Sequence, residues 1–224
     1  MIKFPHLLSV LLLTTVVINA SAQKHSFNPV VDANGNPVAN SKYLHIKGSP
    51  FIFDEWLPGE VVTKAGESHK GMLLKYNIET NLLTFVYDPK DEPLKFAEPI
   101  TAFTIFAEKK MSFANNFPKF EGNGKDSYYE VVAQGKTMLL KHYKRFLREM
   151  TSSELSKTDA VYVQTATYYI FKEGKMAVIK PDVKSVQKAL ADKSTQIDSF
   201  LVAKNITFEN EEDLKKVIDF YNSL

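Results

Sequence analysis

At Pro181 the hydrophobic pattern of this chain changes period, and that change constrains the fold more than any other feature. Upstream, apolar residues come in short runs broken by turn chemistry, which is the pattern of strands. Downstream they recur at helical spacing. Val183, Val186 and Leu190 fall on one helical face, and Ile197, Phe200 and Leu201 fall on another. Ser194 is placed to cap the second of these segments. Asn210 precedes Glu211, Glu212 and Asp213, which sets acids in a first turn where the helix dipole favours them. Leu214, Val217, Ile218 and Tyr221 then form a clean amphipathic stripe. Residues 181–224 are therefore expected to form two or three amphipathic helices whose apolar stripes lie on a β-domain.

Residues 23–180 carry that β-domain. Runs at 72–76 and 82–87 read as paired strands around the turn at 77–81. Residues 101–106 are apolar on both faces, as in a strand covered on both sides. Residues 128–132 and 137–143 bracket Ala133-Gln134-Gly135-Lys136 as a hairpin, and 161–171 is the longest β-type run, folded back by Glu173-Gly174 onto 176–179. Turns are also expected at 32–37 and 122–125. The class is α+β, mainly β: an antiparallel meander, barrel-like or folded as a sandwich, followed by the helical segment. An outer-membrane barrel does not fit a chain that ends in amphipathic helix.

The first 22 of the 224 residues have the form of a signal peptide. Lys3 supplies the positive end, residues 7–18 are apolar, and Ala20-Ser21-Ala22 offers cleavage after Ala22. Twelve helical residues span about 18 Å, short of a roughly 30 Å hydrocarbon core. With no later segment long enough to span, the mature chain is expected to be secreted or periplasmic, without a transmembrane segment. Export sharpens the meaning of a cysteine count of zero. Disulfides are available outside the cytoplasm, and this chain makes none. Thiolate metal sites, a cysteine nucleophile and a cysteine-linked acyl anchor are excluded with them. Cohesion must come from the core, for which 16 Phe and 10 Tyr are ample material.

Several phrases occur together in a fixed order: Gly48-Ser49-Pro50-Phe51-Ile52-Phe53-Asp54-Glu55-Trp56 with Gly59-Glu60-Val61, then Leu74-Lys75-Tyr76-Asn77. Tyr168-Tyr169 ahead of Lys172-Glu173-Gly174-Lys175, Glu212-Asp213-Leu214 and the terminal Tyr221-Asn222-Ser223-Leu224 complete the set. Over roughly residues 48–224 the chain resembles a group of uncharacterised secreted proteins from Bacteroidetes-type bacteria. The resemblance implies a Gram-negative envelope or exterior location, and carries no activity or catalytic residues with it.

The residues offer little reactive chemistry. His25, His45, His69 and His142 have no metal-binding spacing, so no metal or cofactor is expected. Residues 32–36 alternate side-chain oxygens as a calcium loop would, but lack its downstream bidentate acid. Asp54, Glu55 and Glu60 flank Trp56, whose ring could desolvate a carboxyl and raise its pKa. Adjacent strand residues point to opposite faces, however, so Asp54 and Glu55 do not make a pair. Ser49 lacks a nucleophile elbow. Lys136, Lys141, Lys144, Arg145 and Arg148 interleave with apolar residues as a solvated strand face does, and an exported cationic face meets anionic envelope components rather than nucleic acid. Tyr128, Tyr129, Tyr162, Tyr168 and Tyr169 are the material of a wide sheet. The binding candidates are Tyr162, Gln164 and Tyr168 on one strand face, with Trp56 as an aromatic anchor. The expected function is a non-enzymatic binding module for an envelope protein, peptide or glycan. The alternatives are a glycan-directed hydrolase using carboxylates from separate strands, and a small-ligand carrier barrel.

Overall fold

The computed structural model of the chain describes residues 46–150 and 159–224. Among the described residues, eleven strands form one open sheet. They are β1 (Ile46–Lys47), β2 (Leu57–Thr63), β3 (Ser68–Asn77), β4 (Leu82–Val86), β5 (Leu94–Lys95), β6 (Ile100–Phe106), β7 (Lys110–Ala114), β8 (Tyr129–Ala133), β9 (Thr137–Met150), β10 (Asp159–Lys172) and β11 (Lys175–Ile179). The spatial order is β1-β10-β9-β8-β7-β6-β2-β3-β4-β5, with β11 also on β10. The chain thus runs outward from β2 to β5, returns to the other side of β2, and meanders from β6 to β11. All pairs are antiparallel except β1 on β10. The mainly β, α+β class stands, built as a single sheet.

Register places two cores on the same face. Phe113 lies opposite Glu130, Glu130 opposite Lys141, and Lys141 opposite Tyr168, so all four share a face. At the β2–β7 end that face carries Val61, Leu74, Tyr76, Phe85, Phe103, Ile105 and Phe113. Phe103 and Phe113 stack at 4.7 Å, with Tyr76 and Tyr128 packed edge-on or tilted against them. Toward the β10 end the same face carries Leu139, Ile170 and Ile179, on which the helices lie. Burial of each such side chain stabilises by roughly 1.5–3 kcal/mol. On the opposite face, Tyr129, Leu140, Tyr169 and Met176 are covered by Phe117 and Phe120 from the long β7–β8 connection.

The helices are α1 (Val183–Ala189), α2 (Ser194–Ala203) and α3 (Glu211–Ser223). Asp182 caps α1 by accepting from the Ser185 N–H at 2.7 Å, and Asn210 caps α3 by accepting from the Asp213 N–H at 3.1 Å. Ile197, Leu201, Leu214, Val217 and Ile218 are buried as their spacing requires. Two local expectations change. Ser194 is the first residue of α2 rather than its cap, because a 3-10 turn at Ala191–Lys193 feeds directly into the helix. Val183 is 45% exposed, since α1 is a short helix that turns its first residue outward. None of the described helices is long and apolar enough to cross a membrane.

The strands hold two further differences. β6 is buried at Phe103 and Ile105, but its last residue, Phe106, is 42% exposed, and Ala102 and Thr104 on its other face line an open cleft instead of a second packed layer. β9 continues seven residues past the expected end at Tyr143, because β10 pairs with it throughout its length. The turn at 32–37, with its calcium reading, the leader, His25 and His45 lie outside the described residues.

A strap ties the two ends of the sheet together. Ile46 and Lys47 pair with β10, whereas Phe51 bridges to Asn77, at the end of β3. The Ile52 N–H donates to Tyr76 O at 3.0 Å, and the Ile78 N–H donates to Pro50 O at 2.9 Å. A few residues of strap can join strands so far apart in pairing order only because the sheet curls, barrel-fashion, without closing.

Candidate functional site

The environment of β9 changes at Lys141. From Leu139 to Lys141 the strand pairs with β8 on one edge and β10 on the other, the Asn222 side chain meets the Thr137 N–H and C=O, and Thr137, Leu139 and Leu140 are buried. Beyond Lys141 only β10 pairs with it among the described residues. The cause is local. Tyr129 pairs with Ala114 of β7, and the chain before it is pulled away by Asn81. The Asn81 side chain accepts from the Tyr128 N–H at 3.2 Å and donates to Asp126 O at 2.8 Å. Asn81 sits at φ 55°, a left-handed turn position that asparagine tolerates, so the β3–β4 turn itself aims this side chain.

A cleft of about 340 Å³ opens between that free edge and the β3–β4 turn. His142, Tyr143, Lys144, Arg145 and Phe146 form its β9 wall, and Ile78, Glu79, Asn81, Asn123 and Ser127 face them. The strap covers one side. Arg145 Nη1 donates to Ser49 O at 2.7 Å and also to Phe51 O, while Nη2 donates to the Gln164 side-chain oxygen. Ser49 donates in turn to Asp54. The Tyr162 hydroxyl donates to Glu79 at 3.1 Å. Three of the groups that hold the strap and the turn in place therefore come from the two long strands.

Burial, reinforced by the neighbouring Lys144, holds His142 down to about 4, so its imidazole is neutral at physiological pH. Its ring lies 5.0 Å from that of Tyr129. Tyr129 is completely buried, Asn123 is 7% exposed, and the Tyr129 hydroxyl and Asn123 Nδ2 lack hydrogen-bond partners among the described residues. Unpaired polar atoms of this kind are costly in an interior.

Of the four sequence-derived candidates, two lie beside the cleft. Tyr162 and Gln164 flank the strap, already engaged by Glu79 and Arg145. Trp56 lies beyond the strap, where the Lys75 ammonium stands 5.4 Å from its ring and 4.6 Å from that of Phe51. Tyr168 shares the face of Tyr162, as alternation requires, but lies six positions further along the strand, about 20 Å away. It belongs to another cluster. Of the acids near Trp56, Asp54 accepts from Ser49 and Glu60 forms an ion pair with Lys70 at 3.1 Å.

No family model, curated protein or solved structure matches this chain. Its chemistry has to be read from its own side chains.

The cluster around Tyr168 lies between the two cores of the shared face. Glu211, at the start of α3, accepts from Lys141 Nζ at 2.5 Å and from the Tyr168 hydroxyl at 2.9 Å, with Lys109 Nζ at 3.4 Å. Glu130 accepts from the Tyr143 hydroxyl at 2.6 Å. Burial pushes the Glu130 carboxyl up, against the lowering effect of the Tyr143 hydrogen bond. Glu211 moves the other way, because Lys141 outweighs the effect of its burial. Two carboxylates shifted apart are what an acid–base pair needs. Here, however, Glu130 is only 5% exposed and the Lys141–Glu211 pair fastens α3 to the sheet. The sequence pointed to Glu211 only as a first-turn acid, to His142 only as an unclustered histidine and to Arg145 only as part of a cationic face, and gave Glu130 no role. The one signal present was a lone acid, Glu130, inside an apolar strand.

Proposed function

We propose that this chain is an exported, non-enzymatic binding protein of the cell envelope that holds its partner along the distal half of β9. One observation carries the reading. A β9 edge that no described residue pairs with adjoins a cleft of about 340 Å³ walled in part by Lys144 and Phe146, and Arg148 and Met150 continue the same strand face; Phe146 is 47% and Met150 42% exposed. Exposed apolar side chains rimmed by charge are typical of interaction sites. The leader at 1–22 and the resemblance to secreted envelope proteins support export.

A photo-crosslinking residue placed at Phe146 in the producing cell tests the site. Tyr87, 58% exposed at the β4 end of the sheet, serves as the control position. Adducts at Phe146 and not at Tyr87, on a chain shortened by its leader, are the expected result. Equal labelling at both positions removes the site from the reading, and an uncleaved chain in the cytoplasm removes the export. A second reading, a glycan-directed hydrolase, draws on the opposed shifts of Glu130 and Glu211. Polymer hydrolysis that is lost in a folded Glu130→Gln variant would favour it.

A further inference from the structure

We infer that the open edge of β9 receives an extended acidic segment of a partner protein as an added β-strand. This deepens the binding reading above and rests on it. The backbone supplies the first part of the argument. In a paired strand, alternate residues turn their N–H and C=O groups away from the existing partner. From His142 onward, no described residue pairs with that side of β9. The five residues that wall the cleft offer about 16 Å of such edge. Strand addition gains affinity from these main-chain groups and specificity from alternate side chains.

The side chains supply the second part. Lys144, Phe146 and Arg148 alternate onto one face, opposite Thr165, Val163 and Val161 of β10. No acid stands across from either cation, and neither makes a salt bridge among the described residues. A strand added on the free side would set its own residues beside these three. The complement is acid, apolar, acid at alternate positions, because opposite charges directly across strands attract and apolar side chains pack.

The same pattern argues against a second copy of this chain. Antiparallel self-pairing that brings the two Phe146 rings together sets Lys144 opposite Arg148, like against like. Charged side chains on an edge are a common guard against such pairing. This edge is closed to itself and open to an acidic strand.

The test uses the purified full chain and a short labelled peptide of alternating threonine, with acids flanking a central phenylalanine at alternate positions. Binding is followed by fluorescence anisotropy and by amide exchange. Expected are binding of the acidic peptide, slowed exchange across residues 142–148, and loss of binding when alternate peptide amides are N-methylated. The Lys144→Glu/Arg148→Glu double variant should bind about tenfold more weakly or worse, and should instead take a peptide with lysines in place of the acids. That rescue shows that the variant is folded, and Phe146→Ser offers an independent variant with the charges intact. Three outcomes overturn the inference. The N-methylated peptide binds as well, or polygalacturonate competes equally, so that charge alone decides. The chain forms a dimer that Phe146→Ser dissociates, so that a second copy owns the edge. No peptide of either sign binds. If crosslinks at Phe146 persist while peptides fail, the binding reading survives and strand addition falls; if both fail, both fall.

Discussion

The two halves of β9 are one continuous strand in two environments. From Thr137 to Lys141 it has β10 on one edge, β8 and the Asn222 side chain on the other, helices on one face and the Phe117–Phe120 connection behind it. From His142 to Met150 it has one strand neighbour among the described residues, a strap across part of one face, and solvent over much of the other. Backbone pairing with β10 is the same in both. Coverage therefore divides them, and with it the work each half can do. A half packed on all sides tolerates little change, whereas a half left open can bind.

This contrast can be broken most forcefully at Leu139, fully buried under the helices. Leu139→Ala should lower unfolding stability by about 3 kcal/mol in denaturant melts, and Leu147→Ala, in the open half, by well under half of that. Equal losses would erase the difference between the halves. Next in size is the tie between sheet and α3. Glu211→Gln leaves Lys141 without its counter-charge and should remove about 2 kcal/mol at pH 7. Because the Glu211 carboxyl sits below its ordinary 4.5, its contribution is present above that pH and lost as the pH falls through the folded-state value. The variant and the parent should therefore converge in acid.

His142 stands at the boundary and sharpens the comparison through pH. Its folded value of about 4 lies below the ordinary 6.5, so the unfolded chain binds a proton first. Stability should be full above pH 6.5 and fall by on the order of 2 kcal/mol toward pH 4, after allowing for partial exposure. His142→Gln should flatten that window in melts run across pH. The smallest expected effect is at Phe146. Phe146→Ser should change stability by less than about 0.5 kcal/mol while weakening the anisotropy-detected binding of the acidic peptide. A large stability loss would mean that Phe146 packs rather than presents.

Much of the fold was legible because its signals are short-range. The Leu214, Val217, Ile218 stripe and the first-turn acids Glu211, Glu212 and Asp213 announced α3 within a dozen residues, and the Asn77–Asn81 turn announced the β3–β4 hairpin. The end of β9 was not legible. Past Tyr143 the sequence interleaves cations with apolar residues, which signals a strand face without saying how far its partner will follow. The candidate site was half legible. Alternation placed Tyr162, Gln164 and Tyr168 on one face correctly. It could not say that Tyr168 would be taken by Glu211, or that Arg145 would spend its guanidinium on the strap.

What the sequence determined by itself was the kind of local structure at most positions: where periods change, where turns fall, which helix face is apolar. Periodicity and capping act over a few residues, so they are written where they act. Tertiary structure alone decided which half of β9 is covered. The contacts responsible join residues far apart in the chain, 70 positions from Lys141 to Glu211 and 96 from Arg145 to Ser49. Such partners are chosen by the curl of the sheet, to which every strand contributes and which no single segment encodes.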